Sequence, residues 1–185
     1  MDRISIDNIL KVKSLQNELE HERAISLFLR LRIQVKVNHE YQPIREYLKN
    51  LILQYEGEHW SEKKDISDEL VKESDQAELI VQAENEFYYE RKKLIKKHLK
   101  KAGLNQNDLA AILGHRKSYM SELINGLRPL SKEDIIILNR LFKLKLEDLI
   151  PTFLNQDKVS HINDTLKALN KGELKLSAKD LIPQG

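Results

Sequence analysis

Residues 114–131 read GHRKSYMSELINGLRPLS, a stretch that places two helix stops around one short run of helical spacing. Gly114 stands before the run and Asn125-Gly126 stands after it, and these residue types favour the left-handed backbone found at helix ends. Between the stops, apolar residues recur on one inner face: Met120, Leu123, Ile124 and Leu127. The stretch therefore predicts a helix of about two turns that is packed on one side only.

Similar start and stop signals divide the neighbouring residues into further short helices. Gly103 ends one helix, and Asn105 with Asp108 has the spacing of a capping box, as does Ser131 with Asp134. The two helices that these boxes start carry apolar inner faces, formed by Leu109, Ala110 and Leu113 in the first and by Ile135, Ile136, Leu138, Leu141 and Phe142 in the second. With a helix over 79–102 and a last turn in LEDLIP at 146–151, the pattern predicts five short helices.

Two short helices joined by a tight turn that contains glycine are the helix-turn-helix layout. Gly114 provides the turn, and the helix after it would lie in a DNA groove with its inner face packed on the protein. The outer face then needs side chains that reach base edges and phosphates, which Lys117, Ser118, Ser121 and Glu122 can do.

Several positions taken together resemble the Xre/Cro-type helix-turn-helix family of phage and bacterial repressors. They are Leu104, Gln106, Leu109-Ala110, Leu113-Gly114, Ser121, Leu123, Asn125-Gly126, Arg128 and Leu149, and the resemblance covers residues 87–150, about a third of the chain. It implies that this part of the chain is a five-helix lambda-repressor-like helix-turn-helix domain. Together with the helical patterns before and after it, the sequence predicts an all-α fold, in which an N-terminal helical segment precedes this domain and a short C-terminal tail follows it. The implied function is sequence-specific binding of double-stranded DNA in transcription regulation.

A narrower resemblance is to the HigA-type antitoxins, which also regulate transcription. It rests on MSELINGLRPLS at 120–131 and on PIREYLKNLILQYEGEHW at 43–60. The chain departs from the general pattern at Arg116, where Xre domains usually have a small helix-capping residue, and it is longer than many antitoxins. The narrower resemblance implies an autoregulating repressor of its own operon. The alternative is a toxin-neutralising protein whose N-terminal helices bind a small toxin.

The family resemblance implies DNA contacts for eight residues. Gln106 matches the glutamine that contacts phosphate at the start of the second helix, and Asn125 and Arg128 match positions that contact phosphate after the recognition helix. The remaining five would face base edges or nearby backbone: Arg116, Lys117, Ser118, Ser121 and Glu122. Arginine and lysine pair with guanine, serine with several base edges, and glutamate accepts from cytosine. Two alternatives stay open, a pairing of Glu122 with a basic side chain of the protein and packing of Tyr119 at the helix edge.

Charge is distributed unevenly along the 185 residues. Residues 1–86 hold 12 Lys/Arg and 18 Asp/Glu, residues 87–150 hold 14 and 7, and residues 151–185 hold 5 and 4. This predicts an acidic N-terminal helical segment with a connector at 1–86, a basic DNA-binding domain at 87–151, and a tail at 152–185. The alternative is that the lysine-rich helices are simply well solvated and contact no polyanion.

Residues 27–36 have an ambiguous pattern. Leu29, Leu31, Ile33 and Val35 alternate as in a strand, whereas Ala24, Phe28, Leu31 and Val35 follow helical spacing. We favour a helix, because no second alternating run supplies a strand partner.

Pro43 suits the first turn of a following helix, whose apolar stripe runs from Ile44 to Tyr55. This stripe would bind another protein or pack on the DNA-binding domain. In the tail, a helix near 160–170 and a cap formed by Ser177 and Asp180 are expected.

Catalysis has little support in the sequence, and we expect no enzyme activity, cofactor or metal. There is no cysteine, the six histidines do not form an HExxH pair, and no glycine-rich phosphate loop occurs. Ser61-x-x-Lys64 matches a short serine–lysine pattern, but it lies in a charged connector without a companion motif. A cytoplasmic location is expected, because a secretory signal and a run of ~18 apolar residues are both missing.

A homodimer is expected because one short recognition helix reads only a few base pairs. Two half-sites one DNA turn apart, ~34 Å, are the usual solution. The apolar residues of LNRLFKLKLEDLI at 138–150, or the tail beyond Pro151, are the expected contact surface.

Overall fold

The computed structural model describes residues 3–36, 38–61, 66–152, 154 and 156–177, and within these ranges it contains helices and no strands. The α-helices are α1 Glu18–Val35, α2 Gln42–His59, α3 Asp68–Lys101, α4 Gln106–Ile112, α5 Lys117–Ile124, α6 Lys132–Phe142 and α7 Gln156–Ala168, with 3-10 turns at Ile9–Lys11 and His39–Tyr41. The predicted all-α fold is confirmed, and residues 27–35 belong to helix α1. None of the helices in the described ranges has the length and apolar character to cross a membrane.

Helices α1 and α2 form a hairpin that is closed by the residues before α1. Leu48, Leu51, Ile52 and Tyr55 are buried in its core, so most of the stripe on α2 is covered by α1 and by residues 4–15. Inside the hairpin, the carboxylate of Glu18 accepts hydrogen bonds of 2.9 Å from the Tyr55 hydroxyl and the Trp60 indole N–H. Leu127, which follows α5 in sequence, joins the same core. The stripe is therefore not an open surface, and the N-terminal unit contacts the C-terminal domain.

Helix α3 belongs to both halves of the protein. It starts at Asp68, where the Ser67 hydroxyl accepts a hydrogen bond from the Leu70 N–H, and runs without a break to Lys101. Its first half packs Ala77, Ile80 and Val81 against α1 and the tail, whereas its last turns place Ile95 and Leu99 in the C-terminal core. The boundary expected at residue 86 thus lies inside one rigid helix, with no linker at that position.

The C-terminal domain follows the local signals of the sequence. Both capping boxes form, and the three glycines at 103, 114 and 126 have the left-handed backbone with φ of +69°. The last turn expected in LEDLIP is present as a hydrogen-bonded turn, in which the N–H groups of Leu149 and Ile150 donate to the carbonyl of Leu146. Two constraints keep this turn short: Lys143 ends α6 with φ of +55°, and Pro151 disfavours a helical residue before it.

The tail folds back on the first half of α3. Val159 of α7 is buried beside Leu19, Ile80 and Val81. The side-chain amide of Asn163 donates to the Leu176 carbonyl and accepts from the Leu176 N–H, both at 2.9 Å. The helix expected near 160–170 is confirmed. The expected cap from Asp180 lies outside the described residues.

Gly126 provides a test of the packing between α3 and the loop after α5. A Cβ atom at Gly126 would lie 2.7 Å from the Tyr88 ring, whereas a Cβ at Gly114 would meet no described atom within 4 Å. Both variants place an alanine on a left-handed backbone, which costs about 1–2 kcal/mol. Only Gly126→Ala also brings a methyl group against the Tyr88 ring. We expect Gly126→Ala to lower the free energy of unfolding, measured with urea, by about 1 kcal/mol more than Gly114→Ala. Equal losses would contradict the described contact with Tyr88.

Candidate nucleic-acid interface

Helices α4 and α5 are joined by a tight turn at Gly114, and α5 begins without a side-chain cap. Arg116 occupies the N-cap position with φ of −70° and ψ of 149°, and its side chain makes no capping hydrogen bond. This agrees with the prediction that arginine is a poor cap at this position. The first turn of α5 therefore presents backbone N–H groups together with a cationic side chain.

Three of the predicted site residues are exposed together on this first turn. They are Arg116, Lys117 and Ser118. The neighbouring Tyr119 packs edge-on against His115, with the two ring centroids 5.1 Å apart, so its edge-packed alternative is the one observed. His115 is held in turn by Asp134, whose carboxylate lies 2.8 Å from the Nε2 atom of the imidazole. Asp134 of α6 therefore stabilises the turn that carries the three exposed side chains, through His115 and Tyr119.

The second turn of α5 faces the N-terminal unit instead of solvent. The Ser121 hydroxyl accepts a 3.0 Å hydrogen bond from the side-chain amide of Gln34, which lies near the end of α1. Glu122 is only 5% exposed, and its carboxylate accepts hydrogen bonds from the Tyr41 hydroxyl and from Nε of Arg128. The expectation that Glu122 lies on the exposed outer face is wrong. A buried carboxylate needs donors, and Tyr41 and Arg128 provide them.

Asn125 and Arg128 are also occupied by protein partners. The Asn125 side chain donates to the Ser121 carbonyl at 2.8 Å and accepts from the Lys92 ammonium at 2.7 Å. Arg128 pairs with both Glu122 and Asp7, and its guanidinium lies over the Tyr119 ring. The predicted phosphate contacts of these two residues stay predictions, but each side chain would have to exchange a protein partner to make one.

Burial and charge set the protonation of this cluster. Burial raises the pKa of the Tyr41 hydroxyl, and its hydrogen bond to Glu122 raises it further, so Tyr41 remains the proton donor. Burial lowers the pKa of Arg128, but hydrogen bonds to Glu122 and Asp7 outweigh this, and the net pKa is raised. Tyr41 and Arg128 therefore keep the protons with which they hold the Glu122 carboxylate.

Gln106 lies at the start of α4. It is half-buried and lines a shallow cleft with Lys96 and Lys100 of α3. These two lysines were not among the site residues predicted from the sequence, although their spacing of four residues places them on one side of the helix. Gln34 and Tyr41 were not predicted either, because nothing local in the sequence connects residues so distant from α5.

Comparison with known families agrees with this geometry. Residues 95–149 match a family model described as helix-turn-helix, which spans the end of α3 to the turn at Leu149. The match supports an Xre-type DNA-binding domain of a transcription regulator in this part of the chain. No curated protein and no solved structure matches the chain. Among the described residues, no group of three or more His, Cys, Asp or Glu side chains could hold a metal ion.

The uncapped start of α5 provides a second prediction. Replacing Arg116 by serine adds an acceptor for the free N–H groups of the first turn, which is worth about 0.5–2 kcal/mol. We therefore expect Arg116→Ser to raise the free energy of unfolding. The matched change is Asn105→Ala, which removes the capping box of α4 and should lower the same quantity by about 1 kcal/mol. A lower free energy of unfolding for Arg116→Ser than for the wild type would contradict an uncapped start of α5.

Proposed function

We propose that the chain is a cytoplasmic transcription regulator that binds a double-stranded DNA operator through the first turn of α5, and that it represses its own operon. The observation that carries the proposal is the exposed group Arg116, Lys117 and Ser118 at the N-terminus of a helix-turn-helix recognition helix. Recognition helices contact base edges with their N-terminal residues. Lysine and arginine pair with the acceptors of guanine, and serine can pair with several bases.

The charge of the domain supports a polyanionic ligand. Residues 87–150 carry seven more basic than acidic side chains, and the lysines near the end of α3 are exposed: Lys93, Lys96, Lys97, Lys100 and Lys101. Cations of this kind contact phosphates and position the protein on the duplex without reading sequence. Gln106 with Lys96 and Lys100 would hold the backbone on the α4 side. The role is one of binding, and we propose no reaction.

The second turn of α5 would then act by holding the helix in place. Ser121, Glu122 and Asn125 contact α1, Tyr41 and α3, so their side chains fix the direction in which the first turn points. Under this proposal, base reading is concentrated in Lys117 and Ser118. Glu122 contributes to specificity only through the orientation of α5.

The antitoxin assignment is a finer proposal, and its support is the resemblance of residues 120–131 to HigA-type segments. A small toxin would need a surface on the N-terminal unit other than the α2 stripe, since most of that stripe is in the core. The observation that this assignment requires is a complex between the full chain and the product of a neighbouring small gene.

Binding measurements on folded variants test the DNA-reading face. Lys117→Ala and Ser118→Ala should reduce the preference for DNA from the chain's own upstream region over a scrambled duplex, because one base contact carries ~1–3 kcal/mol of discrimination. Gln106→Ala and Lys100→Ala should weaken binding to both duplexes, and Lys100→Ala should lower the salt slope by about one unit. Fluorescence anisotropy across a salt series measures both quantities.

Lys49→Ala serves as the control, because Lys49 is an exposed lysine on α2. It should change neither the preference nor the salt slope. If the Lys117 and Ser118 variants lose equal affinity for both duplexes, residues other than these two must contact the bases. A wild-type chain with no preference for its own upstream DNA would contradict the proposed function.

A further inference from the structure

A groove between α1 and α3 exposes several large apolar side chains. It has a volume of about 320 Å³, and its walls carry Leu29, Ile33, Tyr88 and Tyr89. Leu29, Ile33 and Tyr89 are 53%, 64% and 63% exposed. Scattered apolar side chains are common on surfaces, but several large ones in one groove are typical of a binding site.

One end of the groove is polar and uncharged, and the other end is cationic. At the first end, the Ser26 hydroxyl donates to the Asn85 side chain at 2.7 Å. At the second end lie the guanidinium of Arg30 and the ammonium of Lys92. Among the described residues that line the groove, none is acidic. A ligand that fits the groove therefore combines an apolar body with a negative charge.

The two cations converge beside the end of α5. Arg30 donates to the Gly126 carbonyl, and Lys92 donates to the Asn125 side chain, both at 2.7 Å. Because these two acceptors are neighbours in sequence, the guanidinium and the ammonium approach the same place. Both acceptors are neutral, so these two hydrogen bonds do not balance the positive charge of their donors.

The charged form of Lys92 is disfavoured at this position. Burial lowers the pKa of its ammonium, and the nearby charge of Lys96 lowers it further. Glu90, on the same turn of α3, pairs with Lys93 at 3.1 Å. An anionic group beside Lys92 would oppose both effects, because an opposite charge favours the charged form. This end of the groove is therefore suited to an anion.

We propose that the groove binds a small organic anion with an apolar body. Its charged group lies between Arg30 and Lys92, and its body lies along Leu29, Ile33 and Tyr89. A carboxylate, sulfonate or phosphate group accepts hydrogen bonds from both cations, and such charge-assisted bonds are stronger than neutral ones. The apolar walls remove the body of the ligand from water. The site goes beyond the proposed function, since it does not include the first turn of α5.

The dimensions of the groove favour a small molecule over a protein segment. Asn85 and Lys92 mark its two ends, and they are separated by about two helical turns, roughly 10 Å along α3. Small-molecule sites have volumes of roughly 300–1,000 Å³ and mostly apolar walls with a few polar groups. A protein interface buries about 800 Å² on each partner, which requires a much longer surface.

Two dyes test the site on the full chain without DNA. Anilinonaphthalene sulfonate joins an anionic group to an aromatic body, and phenylnaphthylamine has the same rings without the sulfonate. The wild type should bind one molecule of the sulfonate per chain. Lys92→Gln should raise the dissociation constant of the sulfonate by about 10-fold and leave that of the amine unchanged, because only the sulfonate pairs with the ammonium. Fluorescence titration measures both constants, and calorimetry gives the stoichiometry.

The apolar wall has its own variant and control. Ile33→Glu should raise the dissociation constants of both dyes, and that of the sulfonate by at least about 10-fold, because the new carboxylate also repels it. Leu146→Glu is the matched control, since Leu146 is 49% exposed outside the groove. Lys49→Gln is the control for Lys92→Gln, since Lys49 is an exposed lysine on α2. Neither control should change either constant, and circular dichroism checks that each variant is folded.

Several results would overturn the proposal. They are a wild type that does not bind the sulfonate saturably, and a Lys92→Gln variant that weakens both dyes equally or neither. Affinity for the sulfonate that falls as the chain concentration rises would show that a second copy covers the groove. Displacement of the sulfonate by a much tighter-binding helical peptide of leucine and glutamate would show that a protein segment is the occupant.

Discussion

The buried carboxylate of Glu122 is the contact on which the arrangement of the two halves depends. It lies on α5, is almost fully removed from solvent, and accepts hydrogen bonds from the Tyr41 hydroxyl of the N-terminal unit and from Arg128 in the loop after α5. A buried charge that loses one of its partners is strongly destabilising. The orientation of α5 is therefore tied to a residue 81 positions away in sequence.

The contacts around Glu122 explain why the N-terminal unit is not a tethered module. Arg30 of α1 donates to the Gly126 carbonyl at 2.7 Å, Gln34 reaches Ser121, and the ring of Tyr88 lies directly under Gly126. Helix α3 then continues from this junction into the core of the C-terminal domain. One consequence is that the first turn of α5 is more exposed than the second. A second is that a change in the N-terminal unit can alter the orientation of α5.

Local signals predicted the C-terminal domain well because they act within a few residues. Capping boxes at Asn105 and Ser131 are short-range hydrogen bonds, and a glycine such as Gly114 relieves the strain of a left-handed backbone wherever it occurs. The helix over residues 27–35 could be inferred from the lack of a strand partner. The last turn at 146–150 could also be inferred, because Pro151 disfavours a helical residue before it.

The parts that the sequence did not predict depend on long-range packing. A polar, acidic stretch such as 68–78 looks like a connector, yet α3 is helical there because Ala77 and the residues after it pack on α1 and α7. Glu122 has the helical spacing of an outer-face residue, and its burial follows only from the position of Tyr41. The prediction that Arg116, Lys117 and Ser118 lie on the surface is confirmed, since all three are exposed in the described structure.

A double-mutant cycle between Tyr41 and Glu122 tests the central claim most directly. The free energy of unfolding would be measured for the wild type, Tyr41→Phe, Glu122→Leu and the double variant, with Tyr41→Phe and Glu147→Ala as a control pair, since Glu147 is exposed. The account predicts that Tyr41→Phe is costly in the wild type and nearly neutral beside Glu122→Leu, with a coupling of about 1 kcal/mol or more. Additive effects within about 0.5 kcal/mol, as expected for the control pair, would contradict the claim that the N-terminal unit holds α5 in place.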